Sequence, residues 1–170
     1  MEMNRQQFIR AAAGTGFIMA AAPLVSFRSQ EGEPFDKKIV QEFVRVAHGK
    51  MDQVKTMLEE HPTLLNVAHD WKNGDFETGL GAASHVGHKE LAHYFLDKGA
   101  QANIFTACLF GNIEIVKPML TAFPNTLHAL GPHGYTLLHH AVEGGEDALE
   151  VREYLESLGA NKLIVPVFST

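Results

Sequence analysis

The chain has 170 residues, the length of one ordinary domain, and 45% of them are hydrophobic, which is enough to form a core. Its formal net charge is −6 at pH 7, and an acidic surface repels phosphate backbones, so nucleic-acid binding is not expected. The single cysteine, Cys108, excludes an intramolecular disulfide.

The first 30 residues have the layout of an export signal and a linker. A short basic region, residues 1–10, precedes the uncharged, alanine-rich run 11–25, which is too short to span a membrane comfortably. Residues 4–10 resemble a twin-arginine translocation motif in which Gln6 stands where the second arginine is found. The resemblance implies export to the periplasm, by the twin-arginine or the general secretory route, and no membrane span after processing. The alternative is an amphipathic N-terminal helix of a cytosolic protein.

The rest of the chain contains internal repeats, which are typical of stacked repeat proteins. The clearest copy, residues 77–103, resembles the ankyrin consensus T-P-L-H-x-A-A-x-x-G-H-x-E-I-V-x-L-L-L-x-x-G-A-x-x-N. The positions that match are Thr78, Leu80, Ala83, Gly87, His88, Glu90, Leu91, Leu96, Gly99, Ala100 and Asn103. Residues 134–162 form a second strong copy, and residues 37–66 and 104–128 form two weaker ones.

We therefore expect an all-α fold, an ankyrin-repeat solenoid of about four helix–turn–helix repeats that spans residues 35–162. The expected repeats cover residues 37–74, 75–103, 104–134 and 135–162, and an apolar C-terminal tail follows at 163–170.

The connections between the repeats are uneven. The junctions at residues 66–77 and 128–135 are long and predict two prominent loops, or fingers. No finger is expected between Asn103 and Ile104, because the third copy begins at once with its first helix.

Ankyrin repeats in general imply protein binding through the fingers and the concave inner helices. The predicted contact residues on these surfaces are Trp71, Asp75, Phe76, His85, Leu109, Phe110, His133, Tyr135, His140 and Glu143. Aromatic side chains on exposed turns favour an interface role. The alternative for Trp71 and Phe76 is that they fold inward to fill the space under a long loop. For Leu109 and Phe110, the alternative is packing beneath a neighbouring loop.

The ten histidines invite a metal hypothesis, but their local spacing does not support one. His88 and His139 occupy ordinary ankyrin positions, and a glycine interrupts the helix between His85 and His88. The sequence lacks a two-histidine helical motif and a cysteine–histidine spacing, so neither a metal site nor a cofactor is predicted. Cys108 and Ser84 occupy small-residue helix positions and are expected to be packed rather than nucleophilic.

The sequence thus favours a non-catalytic module that acts outside the cytoplasm and binds another protein of the envelope. A first alternative is an accessory subunit of an exported redox or metalloenzyme complex. A second alternative is a small-ligand-binding protein or enzyme, in which Asp75, Glu77, His85 and His133 meet near the bases of the fingers.

Overall fold

The computed structural model describes residues 33–167. The predicted export signal at 1–30 lies outside the described residues, as do residues 168–170 of the predicted tail. Within residues 33–167 the chain forms eight α-helices and one two-stranded antiparallel sheet. The helices are α1 (Lys37–Val46), α2 (Met51–Glu60), α3 (Gly79–His85), α4 (Lys89–Asp97), α5 (Ile104–Leu109), α6 (Ile113–Ala122), α7 (Leu137–Glu143) and α8 (Leu149–Ser157). The strands are β1 (Ala68–Asp70) and β2 (Phe76–Thr78). The predicted all-α class is therefore confirmed in its coarse form, a mostly helical protein.

The helices are joined in pairs by short turns, and the first helices of successive pairs contact one another in chain order. Helix α1 contacts α3, α3 contacts α5, and α5 contacts α7. The side chains of Thr78, Asn103 and Thr136 each accept a hydrogen bond from a backbone N–H in the first turn of α3, α5 and α7. These caps satisfy donors that have no partner inside the helix, so each of these first helices begins at a defined residue.

Glycine is required in two of the turns within the pairs. Gly87 and Gly111 have φ angles of 70° and 67°, in the left-handed region that residues with a Cβ atom disfavour. A Cβ atom added at Gly111 would also overlap the backbone oxygen of Asp147. The turn between α5 and α6 therefore packs directly against the segment that leads into α8.

Two apolar clusters form the core. Phe43, Leu91 and Phe95 lie in the first cluster, which joins the first two helix pairs. Val116 and Cys108 lie in the second, which joins the last two pairs. Burial raises the pKa of the Cys108 thiol to about 12, so the group is uncharged at neutral pH.

The two long junctions form loops of different kinds. Strands β1 and β2 make a hairpin in which His69 pairs with Glu77. In the second loop, a bridge between Leu130 and Thr136 encloses the turn Pro132–Gly134. Helix α5 begins at Ile104, immediately after its cap, so the loop that precedes α3 and α7 is missing before α5, as predicted.

The C-terminal tail runs beside the second loop. The backbone N–H of Thr136 donates to Leu163 O at 3.0 Å, and the N–H of Val165 donates to Gly134 O at 2.9 Å. The tail thus pairs with the segment that enters α7. None of the described helices is long and apolar enough to cross a membrane.

Candidate metal centre

Three histidines and one glutamate converge where the two loops meet the ends of the first helices. His48 follows α1, and His85 ends α3. Glu77 lies in β2, and His133 lies in the turn of the second loop. One ligand atom from each of the four side chains lies within 4.8 Å of the other three. Because α1 and α3 pack side by side, their C-terminal ends bring together residues that are far apart in the sequence.

His85 makes the closest contacts in this cluster. Its Nε2 atom is 2.8 Å from Glu77 Oε1 and 3.1 Å from His48 Nε2. Glu77 Oε2 is 3.6 Å from His48 Nε2 and 3.5 Å from His133 Nε2. Two ligand atoms that each lie about 2.1 Å from one metal ion are about 3.0 Å apart at a right angle and about 3.4 Å apart at the tetrahedral angle. The four separations above lie between 2.8 and 3.6 Å, close to these values, and the whole set lies within 4.8 Å.

Asp75 fixes the protonation of the His133 ring. Its Oδ2 atom is 2.8 Å from His133 Nδ1, and its Oδ1 atom accepts a hydrogen bond from the His133 backbone N–H at 2.8 Å. A carboxylate can only accept, so the ring proton lies on Nδ1 and Nε2 carries a lone pair. A carboxylate that supports a histidine in this way is the usual outer partner of a metal-bound imidazole.

The backbone holds His48 in the equivalent state. Its Nδ1 atom lies 3.0 Å from the carbonyl oxygen of Val44, so Nδ1 carries the proton and Nε2 carries a lone pair. If all three histidine rings are neutral, His85 Nε2 is the one ligand atom of this cluster that can carry a proton. The others, Glu77 included, are acceptors. With the His85 proton on Nε2, this atom can donate to His48 Nε2 at 3.1 Å. With the proton on Nδ1 instead, four acceptors converge, an arrangement that a bound cation stabilises.

Glu77 is an ionised carboxylate in which one oxygen accepts a hydrogen bond and the other has no hydrogen-bond partner among the described residues. Trp71 Nε1 donates a hydrogen bond to Oε2 at 2.7 Å, whereas buried Oε1 has no hydrogen-bond partner among the described residues. The 2.8 Å contact of Oε1 with His85 lacks hydrogen-bond geometry. Burial raises the pKa of Glu77, but the contacts with His85, Trp71 and His48 outweigh burial and hold the pKa below its ordinary value. The group is therefore ionised at neutral pH.

The cluster is buried on one side and accessible on the other. The side chains of Glu77 and His85 are 0% and 6% exposed, whereas those of His48 and His133 are 31% and 32% exposed. The Tyr135 ring stacks on His85 with the ring centroids 4.9 Å apart. An ion can therefore enter beside His48 and His133, while Glu77 and His85 form the floor.

Several predicted contact residues belong to this cluster or support it. Asp75, His85 and His133 meet with Glu77 near the bases of the loops. The sequence predicts this arrangement for the alternative of a small-ligand-binding protein or enzyme. Trp71 turns inward to Glu77, so it follows the alternative in which it fills space under the loop. Tyr135 is half-buried.

The expected exposure of Leu109 and His140 on a concave face is wrong, because both residues are 0% exposed. Leu109 packs into the first core cluster, and Phe105 lies over His140 with the ring centroids 5.1 Å apart. His85 and Asp75 are also buried, so they do not form a free contact surface.

The remaining predicted contact residues are placed differently. Phe76 and Glu143 are exposed, so Phe76 does not fold inward. Phe110 is half-buried, and its ring packs against His93 at a centroid distance of 4.3 Å.

His48 was not among the predicted site residues. Local spacing reveals only ligands that lie close together in the chain, whereas these ligands extend from residue 48 to residue 133. The helix pairs carry the missing signal. His48 and His85 lie one and two residues before the turn glycines of adjacent helix pairs, Gly49 and Gly87, and the packing of α1 against α3 places these positions side by side.

Neither a protein-family model nor a curated protein matches the chain.

Proposed function

We propose that this protein binds a divalent first-row transition-metal ion through His48, Glu77, His85 and His133. One observation carries the proposal: three imidazole Nε2 atoms and a buried carboxylate converge at metal-ligand separations, and outside partners fix the free lone pairs of His48 and His133. The expectation of no metal site, drawn from local spacing, is replaced here by the geometry of residues distant in sequence.

The donor set narrows the class of ion. Three nitrogens and one carboxylate suit Zn²⁺, Cu²⁺, Ni²⁺ or Fe²⁺, whereas Mg²⁺ and Ca²⁺ prefer oxygen ligands only. With neutral imidazoles, the single charge of Glu77 leaves a bound divalent ion with a net charge of about +1. Zn²⁺ is the simplest probe, since it has no redox chemistry of its own.

The direct test is metal stoichiometry of the full chain, prepared without a polyhistidine tag. After incubation with Zn²⁺ and desalting, elemental analysis should find one ion per chain in the wild type. His85→Ala and His133→Ala should lose the ion, while His128→Ala should keep it, because His128 is exposed and lies outside the cluster. Failure of the wild type to retain Zn²⁺, or full retention by His85→Ala, would refute the proposal.

We also propose that the protein has a four-repeat architecture and acts outside the cytoplasm. The helix pairs with glycine turns at Gly87 and Gly111 support four ankyrin-type repeats, modified by the missing loop before α5. Export from the cytoplasm rests on the pattern of residues 1–30. Cell fractionation of the chain with and without these residues tests it, since deletion should leave the protein in the cytoplasm.

Binding of another protein is the second candidate function, and a specific surface favours it. Ile115 and Met119 lie on α6 at four-residue spacing, and Phe123 is the residue that follows the helix. All three are exposed, Phe123 by 65%. The spacing places Ile115 and Met119 on one helix face, with Phe123 just beyond its end, and exposed apolar side chains grouped in this way mark interaction surfaces. Phe76, on the hairpin, is a further exposed aromatic residue, 61% accessible.

A matched pair of variants tests this surface. The tagged protein should capture a stoichiometric partner from its own envelope fraction, and the double variant Ile115→Ser with Phe123→Ser should lose it. Leu158→Ser removes an apolar side chain elsewhere that is 44% exposed and should keep the partner. Equal capture by both variants would exclude this group of side chains on and beside α6 as the contact surface.

A further inference from the structure

A cavity lies beside α5, the helix that lacks the loop preceding α3 and α7. Its volume is about 370 Å³, within the range of about 300–1,000 Å³ that small-molecule sites occupy. Residues 74–76 and Thr78 of the first loop and residues 130–132 of the second form its walls, and residues of α3, α5 and α7 form its base. The missing loop thus leaves room for a ligand where a regular repeat would place its own chain.

His140 supplies an unpaired hydrogen-bond acceptor in the lining of this cavity. The residue is 0% exposed, and its Nδ1 atom lies 2.8 Å from Thr136 O. Nδ1 therefore carries the proton and Nε2 carries a lone pair. Nε2 has no hydrogen-bond partner among the described residues, and a buried polar atom left unpaired destabilises the fold. Burial lowers the pKa of His140 to about 4, so Nε2 remains an acceptor at neutral pH.

The rest of the lining defines what kind of molecule fits. The apolar walls are formed by Phe76, Phe105, Leu130 and Pro132. The hydroxyl groups of Ser84 and Thr106 lie 3.2 Å apart at the base. Among the described lining residues there is no lysine or arginine, and one is the acidic Asp75. An anionic ligand would therefore be repelled rather than neutralised.

We propose that this cavity binds a small uncharged molecule with an apolar body and a hydroxyl group that donates to His140 Nε2. The Phe105 ring, 5.1 Å from the His140 ring, packs against the apolar body next to the acceptor. In the structure His140 is 0% exposed, so the side chains around Nε2 must move apart for the hydroxyl group of the ligand to reach it. His140 is not one of the proposed metal ligands, although Asp75, which supports His133, also lines this cavity.

Phenol and toluene test the proposal, because they have nearly the same shape and only phenol has a donor. Titrated into the full chain and followed by NMR, phenol should bind saturably and shift the ¹⁵N signal of His140 Nε2. Toluene should bind at least about tenfold more weakly, which corresponds to one hydrogen bond of about 1.4 kcal/mol. Benzoate, the anionic relative, should not bind.

Substitutions then locate the site. His140→Phe should reduce the preference for phenol over toluene to less than about twofold, whereas His128→Phe, the same change at an exposed position, should leave the preference intact. The proposal is overturned if phenol does not saturate, if toluene or benzoate binds as well as phenol, or if the Nε2 signal of wild-type His140 does not move. The last measurement needs no variant, so a folding defect in His140→Phe cannot obscure the result.

Discussion

Asp75→Asn should weaken metal binding without removing any proposed ligand. Asp75 is 8% exposed, and both of its carboxylate oxygens contact His133. Oδ1 is 2.8 Å from the backbone nitrogen and Oδ2 is 2.8 Å from Nδ1. An asparagine has one oxygen and one NH₂ group, so either orientation of the amide places a donor against an N–H of His133. If the NH₂ group faces Nδ1, the ring proton must move to Nε2, the atom that is to bind the ion. If it faces the backbone N–H, the whole turn must shift.

Loss of an outer partner of this kind costs a factor of about 10–100 in metal affinity, or about 1.4–2.7 kcal/mol. Zn²⁺ affinity is best measured by competition with a chromophoric chelator at constant pH, for the wild type and the variant. Asp147→Asn is the matched control, because Asp147 pairs with Lys89 on the surface with 77% of its side chain exposed; its affinity should equal that of the wild type. An unchanged affinity in Asp75→Asn would refute the inferred tautomer of His133.

Three further predictions concern stability and reactivity. Gly111→Ala should lower the free energy of unfolding, measured by urea titration, by about 3 kcal/mol, because the new Cβ atom overlaps Asp147 O and the residue has a left-handed φ. Gly99 also has a left-handed φ but has open space around it, so Gly99→Ala should lower the free energy of unfolding by only about 1 kcal/mol. Burial lowers the pKa of His140 from 6.5 to about 4. Between these two pH values His140 is protonated in the unfolded chain but stays neutral in the folded chain. The free energy of unfolding should therefore fall by about 3 kcal/mol towards pH 4, and denaturation of His140→Leu should show a smaller fall. The Cys108 thiol, with its pKa raised to about 12 by burial, should react with a thiol reagent at pH 8 only after unfolding, and rapid labelling of the folded chain would contradict its packed position.

Sequence periodicity predicts the helices well and the burial of individual side chains less well. The positions of α3 to α5 follow from local signals that the sequence displays openly, such as Gly87 and the cap Asn103. The burial of Leu109 does not follow from such signals. It depends on how closely α5 packs against α3 and α7.

The candidate site likewise contains residues whose meeting the sequence predicts and one residue, His48, that it does not. Asp75, Glu77 and His133 lie in or next to the predicted loops, so their meeting could be supposed from loop positions alone. His48 lies in a turn that has no unusual local feature, and it joins them because α1 stacks on α3. A ligand set assembled by stacking has no fixed spacing, so a search for motifs cannot find it.

Metal binding should also stabilise the fold, since the proposed ligands come from two turns, a strand and the end of a helix. An ion that binds only the folded chain raises the free energy of unfolding by RT ln(1 + [L]/Kd), about 2.7 kcal/mol when free Zn²⁺ is 100 times its Kd. The denaturation midpoint of the wild type and of His128→Ala should therefore rise with Zn²⁺, while that of His85→Ala should not. His85 lies within the first two helix pairs, whereas His133 belongs to the second loop, so the ion would tie that loop to the preceding stack. Zn²⁺ that binds without raising the midpoint would be binding the unfolded chain equally well, which contradicts a site assembled by folding.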